Sequence, residues 1–391
     1  MREGKVRRFL YKTVRINDMV EIDYYENVRE KLKLGPLYVP HHKKVFQLMK
    51  VFWNEEQIKI LSHFDGADSY ISLRELVKRT NQPKEYLREM LENLHQKGTI
   101  SKKGTKYGLA PLLPGVFEHY FINRADSEEN LKKAAEVYRW LFKNFMPSFY
   151  MNSDFKLFRP RLPVDAEEKL IEIDQSLDVE SKILPYELIT QLIDMYDAFS
   201  YIPCQCRLIG ELTGEPCEHA PADLGCFLAG EGAKGAIEAG LPNLNKEQAI
   251  EYLRKTEKAG LIHNCIADDS LESTLFVCNC CSCHCGGLIA GKEHGYTAAI
   301  VSNYLPKIDE ESCTKCGTCV KKCQMGAIYH ILPKLADKSD EKMVIREEKC
   351  LGCGVCATNC PNNAIKLVKV RDNIPTEKHM IGNKTFSDIV S

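Results

Sequence analysis

The chain has 391 residues, 44% of them hydrophobic and 27% charged, with a formal net charge of -1 and 18 cysteines. It has no run of about 18 apolar residues, which excludes a membrane span, and its basic opening, Met1–Val20, lacks the apolar core of a secretory signal. A cytoplasmic chain with reduced thiols is expected, so metal binding or redox chemistry, and not a disulfide framework, accounts for the cysteines. Charge is uneven: residues 1–110 carry 22 Lys and Arg against 14 Asp and Glu, whereas the remaining 281 carry 31 against 40. A basic front and an acidic back suit different partners.

Residues 1–50 are predicted as a helical extension and 51–115 as a compact helical unit. Asn54 can cap a helix through Ile60, Leu61 and Phe64, and Ser72 a second through Leu73, Leu76 and Val77. Pro83 opens a third with Tyr86, Leu87, Met90, Leu91 and Leu94 at helical spacing. After Gly98, two β-capable stretches flank a basic turn with Lys102, Lys103 and Lys106. This order resembles a winged helix-turn-helix domain. The resemblance implies DNA as a partner, and the wing lysines suit phosphates. Glu85, Glu89 and Glu92 on the third helix oppose a polyanion, so a protein-docking role is favoured over DNA.

Residues 116–200 read as a helical connector. One helix is expected around Leu131–Phe145, with Trp140 and Phe142 on its apolar face, and another from about Ile183 to Phe199.

The first cysteine is Cys204, and residues 201–300 form a Cys-rich middle domain, expected to be α-helical. Cys204, Cys206, Cys217 and Cys226 are followed by Cys278, Cys280, Cys281, Cys283 and Cys285, five thiols in eight residues. Thiolates at this density repel one another unless a cation or a cluster neutralises them. The first four could hold a third iron-sulfur cluster, with a subset of Cys278–Cys285 closing it or forming another site. The alternative is structural zinc, with His219, His263 or His284 as a nitrogen ligand. Cys265 reads as a small buried hydrophobe. Gly230-x-Gly232-x-x-Gly235 fits a dinucleotide-binding pattern but leads into a helix capped by Asn245 with Gln248 three residues on and closed by Gly260, so nucleotide binding is not favoured.

Residues 301–372 contain an internal repeat, and 373–391 a tail. Cys313-x-x-Cys316-Gly317-x-Cys319-x-x-x-Cys323 recurs 37 positions later as Cys350-x-x-Cys353-Gly354-x-Cys356-x-x-x-Cys360. Over about Leu305–Val370 the chain resembles the bacterial dicluster ferredoxins. The resemblance implies one [4Fe-4S] cluster on Cys313, Cys316, Cys319 and Cys360 and a second on Cys350, Cys353, Cys356 and Cys323. Cys360 is followed by Pro361, as in that family, but Cys323 by Gln324.

The whole is expected to be a multidomain α+β protein and resembles ferredoxin-type proteins of anaerobic bacteria and archaea, a likeness that implies no particular activity. Single-electron relay to or from a partner oxidoreductase is the expected function, with an electron-carrier or subunit role more fitting than that of a stand-alone enzyme. A redox-sensing DNA-binding regulator is the alternative.

Overall fold

The structure, a computed structural model, describes residues 23–151, 156, 158–167, 171–172, 185–266, 273–295, 299–332 and 341–371. The first 22 residues of the expected amino-terminal extension, and the tail from 373, lie outside the described residues.

The front begins with helices α1 (Tyr24–Lys31), α2 (Lys43–Phe52) and α3 (Glu55–Leu61), followed by β1 (Ile71–Ser72), α4 (Leu73–Thr80), α5 (Lys84–Gln96) and the hairpin β2 (Ser101–Lys103)–β3 (Lys106–Gly108). Asn54 and Gln57 close a reciprocal capping box on α3, and the Ser72 hydroxyl accepts from the Glu75 N–H at the start of α4. The hairpin gains a third strand that the sequence pattern does not show: Ile71 and Ser72 pair with Tyr107 and Lys106. Then come α6 (Phe117–Asn123), α7 (Glu128–Trp140), a π-turn at Leu141–Phe145, and α8 (Met146–Met151).

The middle contains β4 (Phe158–Pro160), β5 (Ile171–Glu172), α9 (Ile189–Ile193), β6 (Phe199–Ile202), α10 (Gln205–Leu212), β7 (Cys226–Gly230), α11 (Glu231–Glu238), α12 (Lys246–Ala259), β8 (Ile262–Ile266), β9 (Thr274–Cys280) and α13 (Ile289–His294). Here the expectation of a helical domain is corrected. A five-stranded antiparallel sheet, ordered β4-β8-β9-β7-β6, forms its centre. The strands escape a pattern reading because β7 is buried along its whole length and β9 carries Phe276 and Cys278 on its half-buried face, so apolar and polar residues do not alternate. The helix expected up to Phe199 is also shorter, because the Phe199 backbone pairs with Ala229 in the sheet. Residues assigned to the connector supply edge strands: β4 joins the middle sheet, and β5 runs parallel to the last strand of the chain.

The carboxy-terminal part contains β10 (Tyr304–Ile308), α14 (Thr318–Lys322), β11 (Ile328–Ile331), β12 (Lys342–Ile345), α15 (Val355–Thr358) and β13 (Ile365–Lys369). β10 pairs antiparallel with β13 and β11 with β12, so each half of the repeat contributes one strand to each pair. No described helix is long and apolar enough to cross a membrane.

Candidate metal centres

The middle sheet sorts its side chains by the two-residue period of a strand. Phe227, Ala229, Leu275, Val277 and Cys265 face α9 and α12 and pack with Ile189, Leu192, Ala249 and Leu253. Cys265 thus lies in apolar core. The opposite face carries Cys226, Leu228, Phe276 and Cys278, which pack against α11 and, for Cys226, Phe276 and Cys278, also face helices of the front half.

On that face six thiols close into a ring. Cys204 lies at the N-cap of α10 and Cys206 in its first turn. Cys204 contacts Cys206 and Cys226; Cys226 contacts Cys278; Cys278 contacts Cys280; Cys280 contacts Cys285; and Cys285 returns to Cys206. Hydrogen bonds from the Cys206 and Cys226 thiols hold the Cys204 thiol well below its ordinary range, and its neighbours around the ring are pushed up in turn. A cavity of about 100 Å³ adjoins the ring. Its far wall comes from the cysteine-free half: Leu113, Phe117, Glu118, Phe142 and Tyr150. The site is therefore built from both halves of the chain.

Cys217 does not join Cys204, Cys206 and Cys226. Helix α10 intervenes, and eight residues at 1.5 Å each put about 12 Å between its ends. Cys217 meets Cys281, Cys283 and His284 instead, with all four ligand atoms within 4.8 Å of one another. Cys217 and Cys283 Sγ are 3.5 Å apart. His284 Nδ1 is 3.2 Å from Cys283 Sγ and 4.0 Å from Cys281 Sγ. Gly210 on α10 admits the His284 ring, since a Cβ there would collide with it. The dense cysteine run thus divides: Cys278, Cys280 and Cys285 turn to the ring, and Cys281, Cys283 and His284 to the second group.

Arg207 lies between the two groups. Its buried guanidinium donates to the carbonyls of Pro221 at 3.1 Å, Asn279 at 2.9 Å and Leu224. Burial works against its charge, but the thiolates of Cys204, Cys281, Cys226 and Cys217 outweigh burial and raise its pKa. Pattern reading missed this residue, although a cation directly after Cys206 is a signal for it.

His219 and His263 are not drawn into either group. The His263 ring bonds to Asn279 Oδ1 at 2.7 Å and Glu257 Oε1 at 3.0 Å. Gly230 does follow a strand and open a helix, but its strand pairs antiparallel on both sides, unlike the parallel unit a dinucleotide fingerprint needs.

In the carboxy-terminal part the repeat is also a structural one. Gly317 and Gly354 take positive φ, +73° and +75°, at the starts of α14 and α15, and a Cβ on Gly354 would strike Pro163. Equivalent N–H groups point at sulfur: Ala327 N–H donates to Cys323 Sγ at 3.2 Å and Ala364 N–H to Cys360 Sγ at 3.3 Å. Such donors stabilise thiolate charge, as cluster ligation requires. Burial pushes Cys350 up to about 11 and Cys353 up to about 12, and Cys323 is among the charges felt at Cys350, Cys353 and Cys356. At Cys319, where burial is again the largest effect, the neighbours are Cys313 and Cys316. The thiol donors and their amide environment fit iron-sulfur ligation.

Comparison with curated proteins and with solved structures yields no match. Residues 306–364 match the family model of the 4Fe-4S dicluster domain, so the carboxy-terminal part of this chain is a ferredoxin-like, iron-sulfur-binding segment.

Proposed function

We propose that this protein relays single electrons between a partner oxidoreductase and a third iron-sulfur centre, held by Cys204, Cys206, Cys226, Cys278, Cys280 and Cys285, through two [4Fe-4S] clusters in its carboxy-terminal domain. When bound, such clusters take up and release one electron at a time. The crossed ligand sets are Cys313, Cys316, Cys319 and Cys360, and Cys350, Cys353, Cys356 and Cys323.

The observation that carries the reading is the continuity of one apolar core from the ring to the second ligand set. Cys280 and Cys285 share it with Met325, Leu351 and Val355, and Cys323 and Cys353 pack against it. Dry, rigid packing between two sets of thiolates excludes water and fixes their separation, which favours electron transfer over side reactions. The protein's own part is to bind the clusters through thiolates, donate N–H bonds to sulfur, and hold Arg207 beside the buried charge.

The front we read as a winged-helix unit that docks a protein partner. Two of its cations are already engaged: Lys102 pairs with Glu92 at 2.6 Å and Arg88 with Glu85 at 2.5 Å. A redox-sensing DNA-binding role is the second reading, favoured by the contribution of α6, α8 and the intervening turn to the wall beside the ring. Fluorescence anisotropy with genomic DNA fragments at physiological salt separates the two, and specific, redox-dependent binding would displace the carrier reading.

Iron, acid-labile sulfide and zinc analysis of anaerobically purified protein tests the main proposal. About twelve irons or more per chain are expected, and about eight would remove the third iron-sulfur centre.

A further inference from the structure

The group on the other side of Arg207 has a different character. We propose that Cys217, Cys281, Cys283 and His284 bind a single tetrahedral zinc ion, and that this ion clamps a junction where the front helices, the middle sheet and the ferredoxin-like part meet.

Compactness comes first. Tetrahedral zinc with Zn–S bonds of about 2.3 Å holds its sulfur ligands about 3.8 Å apart. Cys217 and Cys283 Sγ stand at 3.5 Å, and all four donor atoms lie within 4.8 Å of one another. A cubane binds each thiolate to a different iron and so spreads its ligands more widely. Three cysteines and one histidine are also a usual donor set of structural zinc.

The histidine is oriented as a ligand. His284 Nε2 lies 2.8 Å from the Glu215 carbonyl oxygen. A carbonyl only accepts, so Nε2 carries the proton and the Nδ1 lone pair faces the thiols. Metal-bound histidines use this arrangement, in which the second ring nitrogen donates to a backbone oxygen. Charge is balanced as well: three thiolates and Zn²⁺ sum to one negative charge, beside the buried cation of Arg207.

Each surrounding element is fastened to this site. From α7, Arg139 donates to the Cys283 carbonyl at 2.9 Å and, with Lys143 of the following turn, holds the Glu215 carboxylate at 2.8–3.0 Å. Ser282, between two of the ligands, donates its backbone N–H to Gln324 of the ferredoxin-like part at 2.9 Å. The same short loop carries Cys280 and Cys285 of the ring at its two ends. Fixing Cys281, Cys283 and His284 therefore also fixes the approach of ring ligands, and in that respect the role rests on the ring being an iron-sulfur site.

Zinc-edge X-ray absorption on intact, anaerobically purified protein tests the assignment without any variant. One zinc per chain with a shell of three sulfurs and one nitrogen is expected. Absence of zinc, or a four-sulfur shell, would overturn it. Cys217→Ser should reduce zinc by more than tenfold, with any iron loss confined to the ring; a loss of about four irons with zinc retained would assign the site to a cluster instead. Because the zinc shell and the iron count are read separately, failure of the zinc assignment is distinguishable from failure of the third iron-sulfur centre.

Discussion

The side-chain amide of Gln324 accepts from both the backbone N–H and the hydroxyl of Ser282, at 2.9 and 3.2 Å, and donates to the Gly260 carbonyl at 2.8 Å. The position that follows Cys323, where the second half of the repeat has Pro361, is thus used to tie the cluster-binding segment to the cysteine loop of the middle sheet. Gln324→Ala leaves a buried N–H and a buried carbonyl without partners, at a cost of about 1–3 kcal/mol each. Chemical denaturation should show the loss, and amide exchange at Ser282 should accelerate. Electron paramagnetic resonance of the reduced carboxy-terminal clusters should change little, since no thiolate is altered. Unchanged exchange at Ser282 would remove the link.

Arg207 serves three carbonyls that diverge from one buried point, a task for a planar fork and not for an ammonium group. Arg207→Lys keeps the charge yet abandons at least one acceptor, and should cost roughly 2–4 kcal/mol. Arg207→Met also removes the cation from beside two sets of thiolates and should lower metal content as well as stability. Thermal melts with metal analysis on both variants check the order: wild type most stable, lysine next, methionine last.

How far the sequence discloses this site depends on the kind of signal. The eight carboxy-terminal cysteines announce themselves because they recur at a short, repeated spacing on contiguous chain, the kind of signal that cluster ligation would impose. Asn54, Ser72, Asn245 and Gly260 mark helix ends because capping is local chemistry. Separation of the middle cysteines into two groups is not local. It depends on the length of α10 and on the turn after β9, which aims neighbours in sequence such as Cys280 and Cys281 at different centres. The aromatic wall from Phe117, Phe142 and Tyr150 is likewise hidden, since those residues at helical spacing look like ordinary core until the sheet is set against them.

Ligand substitutions should act on separate centres. Cys316 is the exposed member of its set, and Cys316→Ser should cost the carboxy-terminal domain one cluster, about four irons. The ring would keep its iron. Cys285→Ser should do the reverse, depleting the ring while the clusters of the ferredoxin-like part retain their paramagnetic signals. Iron counting and low-temperature resonance spectra on the two variants, prepared anaerobically, distinguish these outcomes. Loss of all iron from either variant would mean that the centres assemble as one unit.

The carboxyl group of Glu118 lines the cavity beside the ring and accepts from the Gly115 N–H at 2.6 Å. Burial pushes its pKa up to about 7, although the Gly115 hydrogen bond opposes that rise. An acid with a raised folded-state pKa is fully accommodated at low pH. Above about pH 4.5 the unfolded chain releases this proton while the folded chain keeps it, so stability falls until the pH passes about 7 and then levels off. The total amounts to roughly 3 kcal/mol. Glu118→Gln preserves an acceptor for Gly115 and removes the titration. Melting temperatures measured anaerobically between about pH 5.5 and 8 should therefore decline more steeply for wild type than for Glu118→Gln, with the variant the more stable at the alkaline end. Parallel curves would show that this carboxyl does not titrate within the folded protein over that range.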